Sequence, residues 1–297
     1  MANLKAIRRR IKSVQATQKI TRAMRLVAAA KVRKAQMRVQ AARPFTEAVM
    51  HMLREAVSEV APIDLQDLPI LQRREINKVA IVVLSSDRGL CGSYNTNVFR
   101  EVVLRVQALQ AEGKKVALIL VGMKALAFFK HVKIEKLKTY QLLPAVPTVQ
   151  EAKLIADETV EFYVSKDPEK RVDAVEIIGS KFVSMLTSRI VDMKYLPVEL
   201  PEGEKHGILK PERLFEPSIQ EVMEAELVPK YLQNVIYQML LEASASELAA
   251  RMNAMTNASN NARDLISSLT LVYNKARQAS ITQELLEIVA GAEALKG

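Results

Sequence analysis

A chain of 297 residues with 49% apolar content is long enough to bury a real core. Its one cysteine, Cys91, excludes an intrachain disulfide and any zinc site built on several cysteines, and a reducing compartment is the natural reading. The net charge of +10 is not evenly spread: residues 1–46 hold 13 Lys or Arg and no Asp or Glu, so subtracting that +13 leaves the other 251 residues at −3. With 5% aromatic residues and no Trp, the composition suits helix pairs better than a β-sandwich or a carbohydrate site. No run approaches the ~18 apolar residues that a bilayer-crossing helix needs, so any membrane association is expected to be peripheral.

From Met1 to Arg43 there is neither glycine nor proline, which predicts an unbroken helix with a domain boundary near residue 58. Leu4, Ile7, Ile11, Val14, Thr21, Ala28 and Ala35 keep a three-four spacing, and Ile20, Met24, Val27 and Val32 are expected to widen the stripe. A basic, acid-free amphipathic start also has the character of a transit peptide. Here the pattern continues past residue 40 in register with the helix, which favours mature structure.

Residues 75–198 change to short apolar runs between breakers. Val79–Leu84, Val116–Val121 and Ala174–Ile178 read as buried strands, with helices over about 96–110, through Lys130 and near Val149–Lys166. Strands without alternation, separated by helices, predict a small Rossmann-like α/β domain with a parallel sheet covered on both faces. A run over Ile190–Val198 is expected as an added edge strand, and the proline-rich stretch 199–220 as a loop. Residues 221–292 then form the last helix, free of glycine and proline from Lys230 to Ala290. Its seam is Leu241, Ala245, Leu248, Met252, Met255, Ser259, Ala262, Ile266, Leu269, Tyr273 and Ala276. The breaker-free runs would reach about 65 Å and 90 Å, too long for a globule, so the two ends are expected to pair as an antiparallel coiled coil. Small seam residues allow close approach but bury little area, so the pair is expected to need a surrounding partner.

Chemistry is sparse. The loop Asp87–Asn95 follows the first strand at the end where α/β domains bind ligands, yet it lacks the spacing of either glycine-rich phosphate motif. A structural turn or protein contact is favoured over a nucleotide site. Cys91 is read as a small residue in a tight loop rather than a nucleophile, because His51, His131 and His206 supply no base at a useful spacing. The same histidines suggest no metal site, and no cofactor is expected. The stretch Arg8-Arg-Arg-Ile-Lys12 invites a nucleic-acid or membrane-surface reading, but the apolar seam is kept throughout and no aromatic anchors accompany it. Thirteen unrelieved positive charges point instead to an acidic protein surface.

Three motifs then carry a resemblance. Ile281-Thr282-x-Glu284-x-x-Glu287-x-x-x-Gly291-Ala292 near the C-terminus is similar to the signature of the gamma subunit of F-type ATP synthase. The opening Leu4-Lys-Ala-Ile-Arg-Arg-Arg-Ile-Lys-Ser-Val14, with Thr17–Met24 and Val27–Lys31, and the central Ser86-Asp-Arg-Gly-Leu-Cys-Gly92 resemble the same family. The resemblance implies a non-catalytic rotor: a coiled coil inside a hexamer of alpha and beta subunits, with the α/β domain as its foot near the epsilon subunit and the c ring. It would couple ion flow to ATP synthesis or hydrolysis on the beta subunits, from the cytoplasmic face of a bacterial membrane.

By position, the resemblance implies that Arg277, Gln278 and Met24 meet the catalytic subunits, and that Arg8, Arg9, Arg10, Lys12, Lys19, Arg22, Lys31, Arg33 and Lys34 form a basic side swept past acidic levers. Asp87, Arg88, Cys91 and Tyr94, with Phe215 and Glu216, would lie toward epsilon and the c ring. Chloroplast and cyanobacterial members carry an insertion before the last helix, whereas Tyr195 to Ser218 here is short and free of cysteine, which argues for a bacterial, non-photosynthetic type. The competing reading is a free-standing α/β protein that binds nucleotides or nucleic acid and carries helical arms.

Overall fold

A computed structural model describes residues 4–59, 70, 74–141, 144, 146–198 and 219–294. The chain divides into two compact units, Ala30–Ala250 and a second made of Met1–Ala29 with Arg251–Gly297.

Helix α1 spans Leu4–Glu59 and continues through Pro44. A proline inside a helix costs about 3 kcal/mol, and here the buried side chains of Val49, Leu53 and Ala56 beyond it offset that loss. The sheet domain follows as β1 (Lys78–Leu84), α2 (Tyr94–Ala111), β2 (Lys115–Val121), α3 (Met123–Phe129), β3 (Glu135–Tyr140), α4 (Val149–Val164), β4 (Ala174–Phe182) and β5 (Ser188–Leu196). The strand order is β3-β2-β1-β4-β5. The first four strands are parallel and β5 is antiparallel to β4, as the edge-strand expectation requires. Strand β3 has no counterpart in the apolar-run reading. Its sequence Glu-Lys-Leu-Lys-Thr-Tyr is that of an edge strand, polar toward solvent and guarded by lysines, so it shows no continuous apolar run.

The strand pleat divides the core in two. Val79, Ile81 and Val83 point to one face, where Val98, Val102 and Val106 of α2 and Phe129 of α3 cover them. Ala80, Val82 and Leu84 point to the other, against Ile155 and Tyr163 of α4, Leu53 of α1, and Leu232, Ile236 and Met239 of the last helix. That helix begins at Ile219 as α5 (Ile219–Val222), two residues inside the stretch expected as loop. It passes through a π-helical turn at Met223–Leu227 into α6 (Val228–Ala294). The widened turn ends two residues before Pro229, which has no N–H to donate. The rest of the expected loop, residues 199–218, lies outside the described residues.

Within Ala30–Ala250 the terminal helices run antiparallel. Thr46 Oγ1 donates to Gln238 Oε1 at 2.8 Å and accepts from Asn234 Nδ2 at 2.9 Å, while further along Val32, Ala35 and Val39 pack with Leu241, Ala245 and Leu248. In the other unit, Thr21 and Ala28 of α1 and Met255, Ser259 and Ala262 of α6 are buried. Every expected seam residue of α6 is at least half-buried, and so are those of α1 from Leu4 to Ala35. Ile20 and Val27 depart from expectation, at 61% and 56% exposed. A helix paired with one neighbour covers only a narrow strip, and these two lie off it.

At the sheet edge, the Tyr140 hydroxyl donates to the Glu158 carboxylate, which also accepts from Lys138 Nζ at 3.0 Å. Burial pushes the Glu158 carboxyl up, but the Tyr140 and Lys138 contacts outweigh it and hold the group below the usual carboxylate range. A depressed carboxylate contributes stability above its unfolded pKa that is lost as pH falls through the folded value. Tyr140→Phe is therefore expected to cost about 1–2 kcal/mol at neutral pH. Urea unfolding at a series of pH values should show that difference shrinking as pH falls below the ordinary glutamate range and on through the lowered folded value, where Glu158 becomes protonated in both states. A cost independent of pH would show that the bond contributes nothing through the charge.

Candidate functional site

The first candidate is the loop after β1. Ser85 Oγ donates to the Val121 carbonyl at 2.9 Å and accepts from Ala125 N–H at 3.0 Å, and Asp87 Oδ1 accepts from Met123 N–H at 2.8 Å. The amides that open α3, which could otherwise cradle a phosphate, are thus occupied by side chains from β1's end. Asn95 closes the loop from inside: its Oδ1 accepts from Ser86 N–H at 3.1 Å and its Nδ2 donates to Ser86 Oγ at 2.9 Å and to Cys91 Sγ at 3.3 Å. Leu90 and Gly92 take left-handed backbone angles, φ 64° and 59°, which turn the chain back into α2.

The four candidates of this loop therefore part company. Cys91 and Tyr94 are buried and hold the turn together, and burial, with Glu247 and then Cys91 adding to it, pushes the Tyr94 phenol well above its ordinary value. Asp87 is half-buried in its bond to α3. Arg88 is exposed, and beside it stands Leu90 at 63% exposed, a residue that sequence reasoning passed over. Only its neighbour Gly89, a turn signal, hinted that an apolar side chain would be turned outward here. Phe215 and Glu216 lie outside the described residues. Among the described residues, no group of three or more His, Cys, Asp and Glu could hold a metal ion.

The second candidate is the outer face of α1. Arg8, Arg9, Arg10, Lys12, Lys19, Arg22, Lys31, Arg33 and Lys34 are all exposed, while Met24 is half-buried at the seam. The third is the end of α6, where Arg277 and Gln278 are exposed. Beyond Ser280 every described residue is exposed, including Ile281 at 48%, Leu286 at 64% and Ile288 at 67%. No helix among the described residues is long and apolar enough to cross a membrane.

A long helix at each chain end, the first with a basic exposed face, and a five-stranded α/β domain between them in sequence define the mixed α/β class to which central-stalk folds belong. The ATP synthase family matches residues 3–295, and the chain belongs to its gamma chains. It is 45% identical to the ATP synthase gamma chain of Cyanothece sp. and 46% identical to that of Synechococcus elongatus, with the whole of each chain covered. Those matches extend over 322 and 323 residues, so both relatives carry residues that this 297-residue chain lacks. The fold is shared with a chain in the Euglena gracilis mitochondrial ATP synthase OSCP/F1/c-ring structure, at TM-score 0.67 and 18% identity, covering 98% of this chain and 94% of that one. A chain of the Tetrahymena thermophila central stalk and c ring is similar at TM-score 0.57 and 23% identity, over 81% of this chain and 99% of that one. As a gamma chain, the protein is a central rotary shaft of ATP synthase.

Proposed function

We propose that the chain performs no bond chemistry and transmits rotation between a membrane ring of c subunits and the alpha and beta subunits. The observation that carries this reading is the division of labour on α1: its apolar seam is spent on the helix pair, while all nine basic candidates face outward. Exposed charges are individually worth only a few tenths of a kcal/mol, so the face acts collectively, as a positive surface moving past acidic ones. Arg277, Gln278 and Met24 bear on the catalytic subunits near the end of the shaft. Arg88 and Leu90, with Asp87 behind them, meet the epsilon subunit or the c ring, and Cys91 and Tyr94 act only by shaping that loop. The asymmetry of the shaft holds the three catalytic sites in different states, which is allostery by differential contact. The complex sits peripherally on the cytoplasmic face of a bacterial membrane.

Neutralising Arg8, Arg9, Arg10 and Lys12 together to Gln is expected to lower coupled ATP synthesis several-fold and flatten its salt dependence, whereas each single change has little effect. Rates in energised vesicles over a salt series check this. A single substitution that abolishes synthesis, or tight sequence-specific DNA binding by the intact chain, would sink the collective reading.

A further inference from the structure

Glu242 stands on α6 where both terminal helices meet the end of β4, within the unit Ala30–Ala250. Its side chain is 2% exposed, and Oε2 accepts from the Phe182 backbone N–H at 2.8 Å. Oε1 makes no hydrogen bond, and the half-exposed Arg43 guanidinium of α1 lies 4.0 Å from it. A buried carboxylate whose second oxygen has no hydrogen-bond donor and only a guanidinium 4.0 Å away is a costly choice in an apolar seam. An apolar side chain would avoid that cost but leave the buried Phe182 amide without its acceptor, and a charged acceptor at this point asks for a further reason.

The surroundings give one. The Phe182 ring is buried with Val32, Ala35 and Val39 of α1 and with Leu241 and Ala245 of α6, so the last residue of β4 sits in the cleft between the helices. Ser246 Oγ donates to the Ser180 carbonyl at 3.3 Å, and a Cβ at Gly179 would stand 3.2 Å from Met239 Cε, so α6 lies directly on this strand. Most of this contact is apolar. Such contacts resist separation but have no preferred direction, and small-residue seams let one surface slide over another. A charge-assisted hydrogen bond is short and directional, and in a buried site water cannot replace it during a slip.

We propose that Glu242 is a positioning residue that locks β4, through the Phe182 amide, to the helix pair against twist, so that rotation passes between the sheet domain and the shaft. This rests on the reading that the sheet domain bears on the membrane ring, and two readouts separate the two ideas. The first uses the catalytic head assembled with this chain, with a bead fixed to a cysteine introduced at exposed Arg100 on α2. The angular fluctuation of the bead at stall reports the twist stiffness between sheet domain and shaft whatever the sheet domain touches. With Glu242→Leu the mean-square angle is expected to widen about twofold or more, while Glu242→Gln, whose carbonyl oxygen still accepts from the Phe182 amide, restores most of the stiffness. An unchanged width with Glu242→Leu overturns the lock, as does a Glu242→Gln variant as loose as Glu242→Leu. The second readout is ATP-driven voltage in vesicles carrying the full complex. Voltage generated per ATP hydrolysed should fall with Glu242→Leu and recover with Glu242→Gln. A widened bead distribution with undiminished voltage would keep the lock and refute the sheet domain as the bearing on the ring.

Discussion

Gly122→Ala is expected to destabilise the sheet domain by about 3–5 kcal/mol, the range of the most damaging single substitutions. Gly122 links β2 to α3 with φ 99°, where an L side chain is already strained. An added Cβ would stand 2.5 Å from the Ser85 carbonyl oxygen and 2.6 Å from Ser85 Oγ. Neither can retreat, because Ser85 N–H donates to the Val121 carbonyl at 2.9 Å and its hydroxyl serves both that carbonyl and Ala125. Gly113, with φ 78° and nothing within 4 Å of an added Cβ, is the control. There the substitution should cost only the backbone term of about 1–2 kcal/mol. Denaturant midpoints of the full-length chain measure both. Equal costs at the two positions would mean that the close approach to Ser85 does not constrain the fold.

Deleting residues 278–297 is expected to uncouple the complex while leaving the sheet domain intact. Of the described residues in that stretch, only Ser280 is half-buried, and the rest are exposed. Little apolar area is lost from the core, so unfolding of the sheet domain should shift by less than about 0.5 kcal/mol. Function is where the loss appears: Gln278 and the exposed Ile281, Leu286 and Ile288 go with the deletion, and ATP synthesis should fall several-fold relative to hydrolysis. Hydrogen exchange of the β1 and β2 amides, read beside synthesis and hydrolysis rates, decides the outcome. Loss of protection in those strands would show that the end of α6 supports the sheet.

Much of this architecture is legible because the signals are strong and local. Two long runs without helix breakers give two long helices, and the three-four spacing from Leu241 to Ala276 marks a face that is indeed covered along its length. The buried strands β1, β2 and β4 read as apolar runs because both faces of a parallel sheet are covered. Strand β3 escapes the same test because one of its faces meets water, and Ile20 and Val27 mislead it because an apolar residue carries no record of how many neighbours a helix has. The candidate residues divide along the same line. A run of arginines and lysines is exposed almost by necessity, since charge without a partner stays in water. Whether Cys91, Tyr94 or Leu90 in one short loop turns inward depends on the left-handed angles at Leu90 and Gly92 and on the bonds that Asn95 makes, and these exist only once the loop has closed.

The sequence by itself determined the two helical ends, the α/β character of the middle, the placement of positive charge on one helix and the family to which the chain belongs. The first three follow from composition or spacing along the chain, where a residue's neighbours are known in advance, and the family from the resemblance of its motifs at both ends and in the middle. Only the tertiary structure decided that Asp87 and Ser85 occupy the amides of α3, that Gly122 has no room for a Cβ, and that Glu242 on α6 grips the Phe182 amide 60 residues away. Those pairings join elements far apart in the chain, and a hydrogen bond between distant residues is set by how the layers pack rather than by either residue alone.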